Sequence, residues 1–301
     1  MTFAVIGATG KVGREVVRAL RSRGADVRVI ARSVQRAEAM FPGVEIAQGD
    51  LANRASIDRA VRNVDAAFFV TPHDEHEEAL GRAFIDACES ARVRRIVFAS
   101  AYRPEPTNAT LSAAWLALLG AVAGHYRGKL RVEARVRASR ADPVVLMPST
   151  FFQNDELLRE AILRGVYAQP IGSKGINRVD CRDIGDAAAR AMIDRDVTSD
   201  GYPLVGPESL TATHCATVWQ RALSRPVRYA GDDLDAWVRA VGTRMSAREI
   251  SDYRRTYRVL QHIGVTTRAR DVAHCTALLQ RAPGTYDDYV RRTADDWTRP
   301  E

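Results

Sequence analysis

Lys11, Lys129 and Lys174 are the only lysines among 301 residues, and two of them stand where a cation could do chemistry. Lys129 follows His125 by four residues and Tyr126 by three, offsets that bring side chains together on a helix. Val132 and Val136 continue the face of His125 and Lys129, which predicts that this face turns inward. A lysine ammonium so placed can bind sugar hydroxyls and lower the pKa of a neighbouring acid. His125 or Tyr126 can then hand a proton to an oxyanion.

The third element of this chemistry opens the chain. Phe3 to Ile6 read as a buried strand, followed by the turn Gly7-Ala8-Thr9-Gly10-Lys11-Val12-Gly13 and an amphipathic helix. Gly7 permits the tight turn, Gly10 lets backbone approach a pyrophosphate, and Gly13 lets the helix pack on the strand. The helix N-terminus offers free N–H groups and a positive dipole end to an anion. At the end of the second strand, where a carboxylate would favour NAD, the chain has Arg32, then Ser33, with Arg36 one turn on. Arginine can hold a 2′-phosphate through two hydrogen bonds and stack on adenine, so NADP(H) is the expected cofactor. Lys11 is expected to add a second positive charge there. Asp50, with Leu51, is placed to reach the adenine or to cap the helix that begins near Asn53. The cofactor set on this side is therefore Gly7, Thr9, Gly10, Lys11, Val12, Gly13, Arg32, Asp50 and Leu51.

These residues need a scaffold, and the first half of the chain supplies an alternating one. Strands are predicted at Asp26–Ala31, Val44–Ala47, Ala66–Val70, Arg95–Ser100 and Val144–Met147, with helices between them, one from about Glu75 to Ala91. The rhythm predicts an α/β fold: a Rossmann-type, doubly wound parallel sheet with ligands over the carboxyl ends of its strands. Residues 1–150 form the expected cofactor domain, with 179–200, including an alanine-rich helix Asp186–Met192, packing back on it. Residues 151–178 and 201–301 form a smaller, mostly helical substrate lobe. There Phe151-Phe152-Gln153-Asn154 opens a helix, Pro170 to Asn177 is a loop, and Trp219, Trp237, Tyr257, Tyr289 and Trp297 pack the interior.

Composition narrows the classes of function. The net charge of +7 comes from arginines interleaved with Asp and Glu, with no long basic run, which argues against a nucleic-acid partner. No apolar run reaches the roughly 18 residues of a membrane helix. The first strand begins at once, so no secretory signal is expected. Cys88, Cys181, Cys215 and Cys275 form no C-x-x-C pair, so neither a zinc site nor a disulfide framework is suggested, and a cytoplasmic setting fits. His73-Asp74-Glu75-His76 is read as the acidic first turn of a helix, with no metal.

At this point the chain resembles a known group. Gly-Ala-Thr-Gly-Lys-Val-Gly (7–13), Ile-Ala-Arg-Ser (30–33), Gln-Gly-Asp-Leu (48–51) and Phe-Ala-Ser (98–100) are similar to the NmrA-like branch of the short-chain dehydrogenase/reductase superfamily. His125-Tyr126-Arg127-Gly128-Lys129 with Val132-Glu133, Pro148 to Asn154, and Val179 to Ile184 extend the resemblance, as does Gly206 to Thr211. It implies NADP(H) and a small C-terminal substrate lobe. The superfamily's Tyr-x-x-x-Lys pair is absent, and the analogous His-x-x-x-Lys favours His125 as counterpart of the tyrosine. Ser100 falls where the superfamily often places a substrate-polarising hydroxyl, and Tyr102 is an alternative acid. Thr71, Pro72 and His73 should flank the nicotinamide ribose, with Lys129 and Phe152 beside the cofactor, while Phe151, Phe152 and Asn154 line the substrate pocket. The resulting expectation is an NADPH-dependent oxidoreductase for a small apolar carbonyl, enone or quinone-like compound, with room for a homodimer. The alternative is a non-catalytic NADPH/NADP⁺ sensor acting on a protein partner.

Overall fold

The computed structural model describes residues 1–72, 74–103 and 126–299. His73 and His125 of the expected site lie outside the described residues. Strands β1 (Thr2–Ile6), β2 (Asp26–Ala31), β3 (Glu45–Gln48), β4 (Ala66–Phe69), β5 (Arg95–Ala99), β6 (Pro143–Pro148) and β10 (Gly201–Leu204) make one sheet in the order β10-β6-β5-β4-β1-β2-β3. Every pairing in it is parallel. The first six are the strands the sequence predicts, with ends agreeing to within one residue. The seventh is a difference: Gly201–Leu204 lies on the sheet edge, beside β6, whereas the sequence reading put it in the lobe. Its Pro203 lacks an N–H and masks the strand in sequence, yet an edge position tolerates it.

Side chains alternate across the sheet and both faces are apolar. Phe3, Val5, Phe68, Val97 and Leu146 enter one core, and Ala4, Ile6, Phe69, Phe98 and Val145 enter the other. A parallel sheet buried on both sides needs such near-continuous apolar strands. The first core is covered by α1 (Lys11–Ser22), α7 (Cys181–Ile193) and α11 (Ala269–Leu279), with α2 (Val34–Met40) at its margin. The second is covered by α3 (Arg54–Ala60), α4 (Glu77–Ser90) and α5 (Tyr126–Arg137). Helix α7 extends the predicted Asp186–Met192 by more than a turn at its start, because the Asp180 side chain caps it by accepting from the Arg182 N–H at 2.9 Å.

The third core belongs to the lobe. Its strands are β7 (Thr150–Phe151), β8 (Val166–Tyr167), β9 (Ile176–Val179), β11 (Ser209–Leu210) and β12 (Arg228–Tyr229), in a β11-β9-β7 sheet and a β12-β8 pair. Helices α6 (Arg159–Leu163), α8 (Ala212–Leu223), α9 (Leu234–Val241), α10 (Ala247–Ile263) and α12 (Tyr286–Thr298) complete it. Phe151 does not open a helix as expected; it pairs in β7, and a 3₁₀ segment, Phe152–Leu158, follows. Trp219, Trp237, Tyr257 and Tyr289 are buried in the lobe core, and Trp297 stacks on Trp219 at 4.8 Å. All four cysteines are buried free thiols. Among the described residues no helix is long and apolar enough to cross a membrane.

Helices α1 and α7 touch backbone to backbone at Gly185, where an added Cβ would stand 2.5 Å from the Glu15 carbonyl. Alanine normally improves a helix interior by about 1 kcal/mol over glycine. Here overpacking reverses the sign. Gly185→Ala is expected to destabilise the protein by about 1–3 kcal/mol, read as a lower urea midpoint at unchanged slope. A variant as stable as the parent would refute the contact.

Candidate active site

Along the sheet the chain reverses its direction of winding between β1 and β4, and the crevice beyond their carboxyl ends is where such sheets bind ligands. Gly7 turns out of β1 with φ +78°, and a Cβ on it would meet Val70 Cγ1, just after β4, at 2.8 Å. A Cβ on Gly13 would stand 2.2 Å from the Gly7 carbonyl oxygen, so only glycine lets α1 start so close to β1. Gly10 is the N-cap and supplies no side-chain cap. The first N–H groups of α1 are thus left for an anion, and the bare backbone cradle fits a dinucleotide pyrophosphate. Thr9 and Val12 complete this turn, the first half-buried and the second in the core.

Beside that cradle Lys129 comes in from α5. Its ammonium donates to Thr71 Oγ1 at 2.9 Å, lies 3.0 Å from Glu77 Oε1, and sits 5.7 Å from the centre of the Phe98 ring. The Thr71 hydroxyl in turn donates to Glu77. Thr71 and Glu77 are buried, and Pro72 is exposed. Sequence reasoning took the acidic run at this helix start for carboxylates complementing the dipole, and so missed the pairing of Glu77, which stands in the first turn. The one local signal is glycine: a Cβ on Gly128 would meet Glu77 Oε2 at 2.9 Å, and one on Gly81 would meet Val132 at 2.5 Å. These two positions let α4 and α5 close on each other and bring the carboxylate to the lysine.

The expected proton donors fare differently. Ser100, at the end of β5, donates to Glu133 Oε2 at 2.6 Å, so its proton is held by a carboxylate. Arg103 binds Glu133 through both guanidinium nitrogens at 2.8 and 2.6 Å, and Arg137 Nε adds 2.8 Å. Burial opposes the charge on Glu133, but Arg103, Ser100 and Arg137 prevail and lower its pKa. Tyr102 is a correction. Its hydroxyl donates to Asp271 of α11 at 2.7 Å, and burial together with that carboxylate pushes it far above the usual phenol range. Desolvation pushes the Tyr126 phenol up to about 12.

Lys11 is a second correction. Its ammonium donates to the Gln153 carbonyl at 2.5 Å, across the seam to the lobe. Burial lowers its pKa against the attraction of Glu156, whose own pKa burial raises. A cleft of about 180 Å³ opens here, lined among others by Lys11, Arg14, Arg182, Arg292 and Trp297. Arg32 is exposed and makes no hydrogen bond or ion pair with a described residue. Asp50 accepts from the Ala52 N–H at 3.0 Å, and Asn53 caps α3. Leu51 packs on the second core.

Phe152 is a third correction. Its ring is fully buried in the lobe core against Tyr286 and Tyr289, at 5.2 and 5.5 Å, and lines no open pocket. Phe151 and Asn154 are half-buried. The neighbours of Asn154 carry the local bonds. Gln153 donates to Asp180 at 2.7 Å and accepts from the Cys181 N–H at 3.0 Å. Asp155 is buried against Arg178 of β9 at 2.8 Å, and Arg178 also donates to the Phe151 and Phe152 carbonyls at 2.9 and 3.0 Å.

The NmrA-like family profile matches residues 1–253, and the chain belongs to that family. It is 33% identical over 238 residues, 77% of each chain, to the (4-alkanoyl-5-oxo-2,5-dihydrofuran-3-yl)methyl phosphate reductase of Streptomyces griseus. It is 28% identical over 233 residues, again 77% of each, to the NAD(P)H azoreductase of Xenophilus azovorans. The NADPH-dependent quinone oxidoreductase of Escherichia coli, solved with NADPH, superposes with a TM-score of 0.79 at 19% identity, over 97% of this chain and 99% of that one. At that identity the likeness concerns the Rossmann-type fold.

The Glu133 cluster has a pH signature. A carboxylate whose folded-state pKa lies below its ordinary 4.5 contributes fully above that value and loses its contribution as pH falls through the folded-state pKa. Glu133→Gln should therefore destabilise by about 2–3 kcal/mol at pH 7, less than a fully buried pair because Arg103 and Arg137 keep some solvent. The gap between the urea midpoints of parent and variant should shrink progressively as pH falls below 4.5. A gap unchanged by acid would refute the assignment.

Proposed function

We propose that the chain is an NADPH-dependent reductase of a small, apolar, conjugated acceptor, and that Lys129 is its central catalytic residue. The observation that carries this reading is the Lys129 ammonium at the sheet's crevice, held by Thr71 and Glu77 at 2.9 and 3.0 Å. Two relatives support it: one is an NAD(P)H azoreductase, and the other a reductase of an alkanoyl-substituted oxo-dihydrofuranyl methyl phosphate.

When bound, NADPH supplies the hydride. The glycine turn holds the pyrophosphate at the start of α1, and Arg32 takes the 2′-phosphate. Thr71 and Glu77 fix the Lys129 ammonium, leaving it to bind the nicotinamide ribose and face the acceptor's oxygen. As the acceptor carbon gains hydride, negative charge grows on that oxygen, and an ammonium already in place stabilises it without reorganising. A proton passing from Lys129 to the oxygen completes the reduction, and solvent restores the ammonium. Ser100 acts through its bond to Glu133, which fixes the end of β5 under the acceptor, rather than as the donor. Phe151 contributes apolar surface, and Asn154 a polar contact, on the lobe side.

Two variants test this assignment. Arg32→Glu should weaken NADPH binding at least about tenfold and leave NADH within about threefold, in fluorescence titrations; equal losses would remove Arg32 from cofactor choice. Lys129→Met should lower kcat for NADPH oxidation with quinones or enones by about 10²-fold or more, with folding intact by circular dichroism. Full turnover by that variant would rule out the mechanism. If the parent oxidises NADPH with no acceptor yet distinguishes NADPH from NADP⁺ in affinity, the sensor replaces the reductase.

A further inference from the structure

The lobe carries a cluster of metal-competent side chains, away from the glycine turn and Lys129. Glu208 precedes β11, His214 lies in the first turn of α8, and Asp287 lies in the first turn of α12. Their ligand atoms, one imidazole nitrogen and two carboxylate oxygens, all lie within 4.8 Å of one another, and all three residues are half-buried. We propose that Glu208, His214 and Asp287 bind a divalent transition metal, Zn²⁺ in the first instance, which clasps α12 to α8 and to the segment before β11.

A second observation points the same way. His214 Nε2 is sealed from solvent and has no hydrogen-bond partner. Buried polar atoms are nearly always satisfied, and a buried nitrogen without a partner, on an imidazole that also brings a ligand atom within 4.8 Å of two carboxylates, leaves a place for a cation. Glu208 makes no hydrogen bond or ion pair with a described residue, so its carboxylate is available. Asp287 gives one oxygen, Oδ1, to Arg221 at 2.8 Å and keeps the other.

The surroundings hold these ligands in place. Thr211 caps α8 by accepting from the backbone N–H of His214 itself, at 3.2 Å. Thr285 caps α12 by accepting from the Asp288 N–H at 3.1 Å. Asn177 binds both the carbonyl and the N–H of Gly206, at 3.1 and 3.2 Å, and so fixes the strand-end that leads to Glu208. Helix N-termini disfavour a cation, and the two carboxylates offset that field. Bonds of about 2.0–2.2 Å place tetrahedral ligands roughly 3.5 Å apart, so the cluster closes by about 1 Å around the ion and a water takes the fourth position. A mixed imidazole and carboxylate set suits Zn²⁺ and its neighbours better than Mg²⁺, which prefers oxygen alone.

The test uses the full, tag-free chain after chelation, dialysed against ZnCl₂ with bound metal counted, and melted with and without it. One equivalent should bind with a dissociation constant of about 10 µM or tighter, and the melting temperature should rise by several degrees. His214→Gln and Glu208→Gln should each weaken that equivalent at least about tenfold. Arg221→Ala frees Asp287 and should tighten it about threefold or more, an effect adventitious surface zinc would not show. The Glu208 variant breaks no hydrogen bond in the described structure, so it carries the test if the His214 variant fails to fold. Equal uptake by parent and Glu208→Gln, or no equivalent bound below about 100 µM, would overturn the proposal.

Discussion

The close approach of α1 to the turn after β1 governs the geometry of the whole crevice. Gly13 has no room for a side chain against the Gly7 carbonyl, so the axis of α1 is fixed relative to the sheet. Everything on that face inherits the position. Gly185 then lets α7 lie against the α1 backbone, and the start of α7 is tied through Asp180 and the Cys181 N–H to Gln153. Lys11, in the first turn of α1, reaches the Gln153 carbonyl from the other side. The glycine turn and the entry to the lobe are thus joined by one chain of contacts, which Lys11 braces.

Buried charge organises the rest. Arg178 and Asp155 are both fully buried, and the pair survives because each polar atom but one finds a partner. Asp155 also accepts from Trp219 Nε1 at 3.1 Å and from the Tyr286 hydroxyl, while the Tyr286 ring lies 5.1 Å from the guanidinium. Such a pair adds little net stability compared with an apolar core of the same shape, but losing one partner strands the other charge. Its structural consequence is local and specific. Through the carbonyls of Phe151 and Phe152 it pins the segment that leaves β6 and passes the crevice. Glu133 does the same for Ser100 and Arg103 at the end of β5, and Glu77 for Lys129 and Thr71 at the end of β4. Three consecutive strands of the sheet therefore end in segments held by buried carboxylates.

How much of this was legible in the chain differs between backbone and side chains. The six apolar strands were readable because both their faces are buried, which leaves a near-continuous apolar run of fixed length. The glycine spacing was readable because each glycine answers a local steric demand within a single strand–turn–helix unit. β10 was not, since Gly-Tyr-Pro-Leu has weak strand character and gains its place only by pairing with β6. The 3₁₀ segment after Phe151 was not, since its conformation follows from carbonyls held by Arg178, a residue on another strand.

The sequence by itself determined the doubly wound sheet, the tight glycine turn at Gly7, Gly10 and Gly13, and the inward-facing helix that carries Lys129. Each of these depends on neighbours along the chain. Tertiary structure alone decided the partners of the functional side chains. Glu77 meets Lys129, Glu133 meets Ser100, Asp271 holds the Tyr102 hydroxyl, and Lys11 faces the lobe. Those pairings join residues far apart in the chain, across helices whose approach is set by glycines on their facing surfaces. Periodicity tells which face of a helix is buried. It does not tell which charge waits on the other side.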